Sequence, residues 1–371
     1  MKYPVIIIGG GLAGLISSIE LARAGVQVLL IEKKMYPFHK VCGEYISNEV
    51  RPYLSGLGLD FKGLGVSDLR HFQLTSPKGM TLNTPLDMGG FGISRFTLDN
   101  ALYQMAIQAG VEFRLATAVT NVTWNTNHFE VTTTNHQNFQ AEVVLGAYGK
   151  RTKLDKQLER GFMTKASPYV GVKYHIRYDF PKDVIALHNF RNGYCGISAI
   201  EDDKYCLCYL TERSNIRHAG GIAQMEQSIA SRNPFLQDIF SQAEFLYDKP
   251  EVINEVSFAP KKSIENHILM IGDSAGLITP LCGNGMAMAI RSGKMAALEV
   301  IQYFQTHRNR ATLENTYNAN WKAEFATRLW VGRTVQELFG KEFLTEIALR
   351  FFSITPYLLQ SVIKRTHGKL M

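Results

Sequence analysis

The stretch Val5-Ile6-Ile7-Ile8-Gly9-Gly10-Gly11-Leu12-Ala13-Gly14 decides the fold. An apolar run of strand length meets a Gly-x-Gly-x-x-Gly turn made by Gly9, Gly11 and Gly14, with Leu12 and Ala13 inside it. A helical pattern follows from Leu15 to Ala24 and stops at Gly25. A second apolar strand, Val26 to Ile31, ends at Glu32 and Lys33. In such a strand–turn–helix–strand unit the first glycine permits the tight turn. The second lets a pyrophosphate approach the backbone, and the third lets the helix pack close to the strand. The helix N-terminus offers unpaired N–H groups to the phosphates. A carboxylate at the tip of the second strand accepts both hydroxyls of an adenosine ribose, which favours FAD or NAD over NADP. Gly9, Gly11, Leu12, Ala13, Gly14, Glu32 and Lys33 are therefore the first candidate cofactor residues.

The chain has 371 residues, 46% hydrophobic and 20% charged, enough to bury a large core in two domains. No run approaches the roughly 18 apolar residues of a membrane span. The N-terminal run is broken by glycine and ends in an acid, so it reads as a first strand rather than a signal peptide. Five cysteines (Cys42, Cys195, Cys206, Cys208, Cys282) show no framework spacing. Cys206 and Cys208 share a strand face rather than forming a Cys-x-x-Cys pair. The expectation is a reduced, cytoplasmic protein without a metal site. The net charge of +7 suits an anionic cofactor, substrate or membrane surface. The basic residues are dispersed and accompany no nucleic-acid motif, so nucleic acid is not expected.

Further along, Leu69 to Thr75 and Met80 to Thr84 read as strands around a Pro77-Lys78-Gly79 turn. Phe96, Leu98, Leu102, Met105, Ala106 and Ala109 mark one face of a helix ending at Gly110. Val111 to Leu115, Val119 to Trp124 and His128 to Thr134 read as a β-meander, and Val143 to Ala147 as a buried parallel strand. Residues 169–211 read as a separate sheet with turns at Pro181, Asn192-Gly193 and Asp202-Asp203, where Asn192-Gly193 and the alternation in Lys204 to Leu210 signal hairpins. Residues 222–247, 283–306 and 312 onward read as helical, with Pro356 as a break. His175, His188 and His218 have no partner spacing and read as surface or core residues.

Ile268-Leu269-Met270-Ile271-Gly272-Asp273-Ser274-Ala275-Gly276 is the second strong signal. A strand ends in Gly272-Asp273, and Pro280-Leu281-Cys282-Gly283-Asn284-Gly285 leads into a helix rich in small residues. A carboxylate at a strand end can take ribityl hydroxyls, and a Gly-rich helix N-terminus can sit against a flavin pyrimidine edge. NAD has no ribityl chain, so the two motifs together point to FAD.

Taken with Cys42-Gly43-Glu44, the Ser94-Arg95-x-x-x-Asp99 helix entry and Tyr317-x-x-x-Trp321, these motifs resemble the geranylgeranyl reductase family. That family belongs with the p-hydroxybenzoate-hydroxylase-fold flavoproteins, and the match spans nearly the whole chain. The resemblance implies Arg95 near the FAD phosphates or ring, although a helix-entry salt bridge with Asp99 is an equal and compatible reading. It implies the Val119 backbone at the adenine, Gly272 and Asp273 at the ribityl chain, and Gly283, Asn284 and Gly285 facing the flavin. It also implies Cys42 near the flavin as a catalytic residue, with Glu44 for positioning or proton transfer. His39 and Lys40 would lower the thiol pKa if they pointed inward. The alternative for Cys42 is a small residue in a tight turn.

Two departures stand out. Ala147-Tyr148-Gly149-Lys150-Arg151 replaces the superfamily's Ala-Asp-Gly, with Tyr148 filling the space, and Gly193-Tyr194-Cys195-Gly196-Ile197 replaces the reductases' aromatic substrate motif. The halogenase Trp-x-Trp-x-Ile-Pro motif is absent from the sequence, as is a second Gly-x-Gly-x-x-Gly, so any NAD(P)H would act as a transient electron donor.

The expected architecture is α/β. A Rossmann-like FAD-binding domain (1–65, 93–160, 255–310), with a parallel sheet and a β-meander, interleaves with a sheet-rich substrate domain (66–92, 161–254). A C-terminal helical segment (311–371) follows. That segment reads first as a cap on the substrate domain; its apolar stripe with basic flanks alternatively offers peripheral membrane contact. The leading function is reduction of a carbon–carbon double bond in a small hydrophobic, isoprenoid-like substrate. The alternatives are a monooxygenase acting on an aromatic or polyketide substrate and a non-catalytic FAD-binding protein.

Overall fold

The computed structural model describes residues 1–164, 166–338 and 341–371. In chain order the elements are β1 (Lys2–Ile8), α1 (Leu12–Arg23), β2 (Val28–Ile31), β3 (Tyr45–Ser47), α2 (Arg51–Leu57), β4 (Ser67–Thr75) and β5 (Thr81–Gly92). Next come α3 (Arg95–Gln108), β6 (Glu112–Arg114), β7 (Val119–Asn125), β8 (His128–Thr133), β9 (Asn138–Gly146) and α4 (Lys153–Gln157). Then follow β10 (Tyr169–Arg177), β11 (Val184–Phe190), β12 (Gly193–Ala199), β13 (Tyr205–Glu212), α5 (Arg213–Ala219), α6 (Ile222–Ser228) and α7 (Pro234–Gln242). The chain closes with β14 (Glu244–Phe245), β15 (Glu251–Asn254), β16 (Ile264–Glu265), β17 (Ile268–Met270), α8 (Gly285–Gln305), α9 (Arg310–Leu338), α10 (Glu342–Ile354) and α11 (Pro356–Thr366).

Two sheets organise the chain. The first runs β16-β17-β9-β1-β2-β6, with β7 and β8 appended to β9. Its centre is parallel: Ile7 sits beside Leu30 on one side and Leu145 on the other. Val5 to Ile8 are all buried, as a parallel strand covered on both faces requires. Arg191 and Asn192 join β11 to β12, with Asn192 at φ 54° and Gly193 opening β12. The second sheet runs β14-β10-β13-β12-β11-β4-β5-β3, with β15 also on β10.

Some readings change. Glu112–Arg114 lies beside β2 at the parallel edge, so the meander is β7-β8-β9 and excludes it. Residues 222–247 do not form one helix. Pro234 has no N–H to continue a helix, and Asn233 caps the next one by accepting from the Phe235 N–H at 2.9 Å. The short helix α2 arises inside the stretch 33–60, which had looked merely polar and Gly-punctuated.

The C-terminal helices cover the first sheet and the second sheet. Tyr317 of α9 donates to the Met270 carbonyl at 2.6 Å. Leu349 of α10 is buried in a cluster with Leu74, Leu187, Tyr194 and Leu210 of the second sheet. The opposite side of α10 leaves Phe343, Ile347, Phe351 and Ile354 exposed. Among the described residues, no helix is long and apolar enough to cross a membrane.

Candidate active site

At the β1–α1 turn, Gly9 has φ +104°, and a Cβ on Gly14 would lie 2.0 Å from the Gly9 carbonyl oxygen. Both positions are closed to larger residues by the protein itself. Gly11 differs: a Cβ there would meet only Arg95 Nη2 and Lys40 Nζ, each 3.7 Å away. The open face of the turn is thus lined by two cations, which is what a pyrophosphate needs. Leu12 and Ala13 begin α1 and are buried. The Glu32 carboxylate accepts from Gly10 N at 2.7 Å and Lys34 N at 3.0 Å. A carboxylate has about four lone-pair sites, so capacity remains for ribose hydroxyls. Lys33 is exposed and Val119, at the start of β7, is half-buried.

Arg95 binds Asp99 in bidentate fashion, 2.7 Å from Nε and 2.8 Å from Nη2, and Lys40 reaches the same carboxylate at 3.0 Å. Burial alone would raise the Asp99 carboxyl, but Arg95 and Lys40 together hold it below its usual range. The salt-bridge reading of Arg95 is therefore present, and the same guanidinium overhangs the nucleotide turn. Cys42 and Asp273 both lie within its electrostatic reach, so three separated motifs meet along one groove.

Gly272 donates its N–H to Ser292 of α8 at 2.8 Å. The Asp273 carbonyl accepts from Lys261 Nζ at 2.7 Å, and burial lowers the Lys261 ammonium to about 8. Gly283, at φ +63°, and Gly285 bring the chain into α8. The Asn284 side chain turns away from this groove: its Nδ2 donates to Glu49 (3.1 Å) and to the Thr366 carbonyl (2.8 Å). Tyr148 is a half-buried residue whose hydroxyl reaches Met270 Sδ at 3.3 Å, so the ring packs at the end of β17.

Glu44 is the centre of the second half of the site. It is fully buried with φ 55°. Its Oε1 accepts from Lys173 Nζ at 2.5 Å and from the Arg95 N–H at 2.8 Å. Its Oε2 pairs with His175 Nε2 at 2.6 Å. Burial would raise this carboxyl, yet the His175 bond and the Lys173 charge bring it below its ordinary value. The same partnership raises Lys173 against the effect of its own burial. His175 Nδ1 meets the Tyr247 hydroxyl at 2.8 Å, and that hydroxyl meets His39 Nδ1 at 3.0 Å. A hydrogen-bonded chain thus runs from buried Glu44 to half-buried His39.

His175 is therefore neither surface nor inert core, and this corrects its reading from the sequence. Lys173, His175, Lys261 and Tyr247 were all missed. A signal for two of them was present: Gly171, Lys173 and His175 alternate with apolar residues on one face of a strand. The other adjustment concerns Cys42. Lys40 engages Asp99, and His39 stacks on Phe96 and bonds Tyr247, so both neighbours are committed elsewhere. The charge that reaches Cys42 comes from Arg95 and Lys173. Burial pushes the Cys208 thiol up to about 12, and Cys206 well up too. Glu44, His175 and Cys206 bring metal-ligand atoms within 4.8 Å of one another, but the Lys173 ammonium already supplies positive charge there.

A packed apolar cluster lies beside the loop that enters α8. Tyr194, which stands in place of the aromatic substrate motif, accepts the Leu281 N–H at 3.0 Å and donates to Gln336 at 3.2 Å. It joins Leu74, Leu187, Leu210, Leu277 and Leu349 beside the loop that enters α8.

The family described as "FAD binding domain" matches residues 2–328. Conditioned medium factor receptor 1 of Dictyostelium discoideum is 25% identical over 373 residues, covering 90% of this chain and 70% of that protein. Digeranylgeranylglycerophospholipid reductase of Methanosarcina mazei is 25% identical over 345 residues, covering 86% of this chain and 81% of that one. Among solved structures, the flavin-dependent brominase Bmp2 superposes with a TM-score of 0.81 at 20% identity, covering 99% of this chain and 93% of that one. A probable FAD-dependent monooxygenase of Pseudomonas aeruginosa, pqsL, gives 0.75 at 13% identity, covering 94% and 100%. The resemblance to geranylgeranyl reductases thus extends to a named reductase, and the fold is that of the p-hydroxybenzoate-hydroxylase-type flavoproteins. The chain belongs to the FAD-binding-domain family and is an FAD-dependent oxidoreductase.

Proposed function

We propose that this member of the FAD-binding-domain family reduces a carbon–carbon double bond of a hydrophobic, isoprenoid-like substrate. The observation that carries this reading is the buried Glu44–His175–Tyr247–His39 chain beside Cys42, since alkene reduction needs one proton for every hydride. FAD, when bound, supplies the hydride. Glu44 stays ionised between Lys173 and His175, so His175 Nε2 donates to it. A proton given by His175 to the substrate carbon would be replaced through Tyr247, whose hydroxyl proton would move to His175 Nδ1 as it takes one from His39 Nδ1, and His39 would be reprotonated from solvent. Arg95 and Lys40 would orient the pyrophosphate and Asp273 the ribityl chain, and Cys42, within electrostatic reach of Arg95 and Lys173, would stand near the reacting centre.

The packed apolar cluster around Tyr194, Leu210 and Leu349 would shield the reacting centre from water. The exposed stripe Phe343, Ile347, Phe351 and Ile354, with exposed Lys341, Arg350, Lys364 and Arg365 around it, would meet the lipid surface from which such a substrate comes. A nicotinamide would serve as a transient donor. The named archaeal reductase supports this substrate class.

The experiment loads the protein with FAD, reduces it anaerobically and mixes it with a geranylgeranyl ether lipid. Flavin reoxidation with a product two hydrogens heavier is the expected result. Reoxidation only by air, with oxygen entering an aromatic substrate, would move the assignment to the monooxygenase. Cys42→Ala is expected to slow the alkene step and leave FAD binding intact.

A further inference from the structure

A second cavity lies on the other face of the substrate sheet. Direct cross-strand partners share a face, and His188 pairs with Cys195, Cys195 with Tyr209, and Tyr209 with Val172. Val172 points opposite to its neighbour Lys173, so His188 faces away from the Glu44 network. There a cavity of about 530 Å³ is walled by Gln73, Tyr178, Phe180, Val184, Phe235 and Ile239, with His188 at its inner side. His188 is 0% exposed and its ring stacks on Phe235 with centroids 5.3 Å apart.

The bonding around this histidine leaves one donor over. Asn233 Nδ2 donates to Thr75 Oγ1 at 3.0 Å. The Thr75 hydroxyl proton is then directed to His188 Nδ1, also at 3.0 Å. Burial keeps the imidazole neutral, lowering it to about 3, so the ring's single proton sits on Nε2. Among the described residues, Nε2 has no hydrogen-bond partner. Buried polar groups are ordinarily paired, and one left unpaired in an aromatic cavity calls for a missing acceptor. An anionic ligand does not fit, because the histidine is uncharged and Asp238 stands in the wall, while a cationic one would leave the His188 N–H without an acceptor.

We propose that this cavity is a second ligand site, separate from the dinucleotide groove, that takes a flat, uncharged aromatic molecule whose carbonyl or ether oxygen accepts from His188 Nε2–H. The walls supply ring contacts and dispersion, while the lone N–H orients the ligand. The assignment does not depend on which reaction the flavin performs.

The test titrates the full-length, FAD-loaded protein with 9-fluorenone and with fluorene, which has the same rings but no carbonyl, by calorimetry. Fluorenone is expected to saturate one site about tenfold more tightly than fluorene, with the flavin absorption unchanged. His188→Phe should erase that preference while fluorene still binds. Val184→Trp, at a half-buried position in the wall, should abolish both and does not disturb the buried polar bonds, so it carries the test if the histidine variant fails to fold. Absence of saturable binding, equal affinities in the parent protein, or a preference that survives His188→Phe would overturn the site. Binding that perturbs the flavin spectrum would also overturn it, by placing the ligand in the groove.

Discussion

His175 Nε2 stands 2.6 Å from Glu44 Oε2, although 131 residues separate the two in the chain. The same carboxylate holds Lys173 and the first N–H of α3. One buried side chain therefore pins the Cys42-Gly43-Glu44 segment, the helix that carries Arg95 and the strand β10 of the second sheet to one another.

Glu44→Gln is expected to destabilise the protein by about 3–5 kcal/mol, because it leaves the Lys173 ammonium buried without a counter-charge. Urea unfolding of the FAD-loaded protein measures this. An unchanged midpoint would remove the structural role assigned to the carboxylate.

Tyr247→Phe keeps the ring and removes the hydroxyl that links His175 to His39. The alkene-reducing step should slow about tenfold, as expected for loss of general acid–base assistance, while FAD affinity is kept. Burial, aided by the charges of Lys173 and His175, holds His39 below its usual pKa. It is therefore largely deprotonated at neutral pH and gains its proton as the medium acidifies. The parent rate should rise as pH falls toward that range, and the variant should lose this dependence in stopped-flow measurements across pH.

Gly11→Ala and Gly14→Ala should part company. An alanine at Gly14 would collide with the Gly9 carbonyl, so thermal stability should fall even without cofactor. An alanine at Gly11 meets no protein atom closer than 3.7 Å, so stability without cofactor should be unchanged. The added methyl instead occupies the path of the pyrophosphate, and FAD affinity should fall about tenfold or more. Melting curves with and without FAD separate the two cases.

His188 supplies an acid-sensitive element. Its folded pKa is near 3 against an ordinary value of 6.5, so between these values the unfolded chain binds more protons than the native one. Stability must then decline as pH falls through that window, by an amount on the order of 4 kcal/mol at its lower end. His188→Phe should flatten this acid limb in denaturant titrations at pH 7, 5 and 4. A limb that keeps its slope would show that other groups govern it.

The turn at the head of α1 was legible because its signals are local. Glycine spacing, an apolar strand and a terminal acid within about thirty residues encode one turn, one helix N-terminus and one carboxylate at a strand end. Asn192-Gly193 and Asp202-Asp203 likewise encode their own hairpins, with φ values of 54°, 59° and 53° at Asn192, Asp202 and Asp203. The split between α6 and α7 was also written locally, in Asn233-Pro234, but the apolar periodicity around it concealed the break.

The amino-acid sequence by itself determined the FAD fingerprint, the Gly272-Asp273 turn, the hairpins of the second sheet and the helical end of the chain. Each of these rests on dihedral preferences and periodicities that neighbouring residues settle among themselves. Only the tertiary structure decided that Lys173, His175 and Tyr247 gather around Glu44, that Asn284 turns to Glu49 and Thr366, and that His188 is left with an unused donor. These contacts join segments dozens to hundreds of residues apart. Strand register and the packing of one sheet against another bring them together, and no local pattern specifies either.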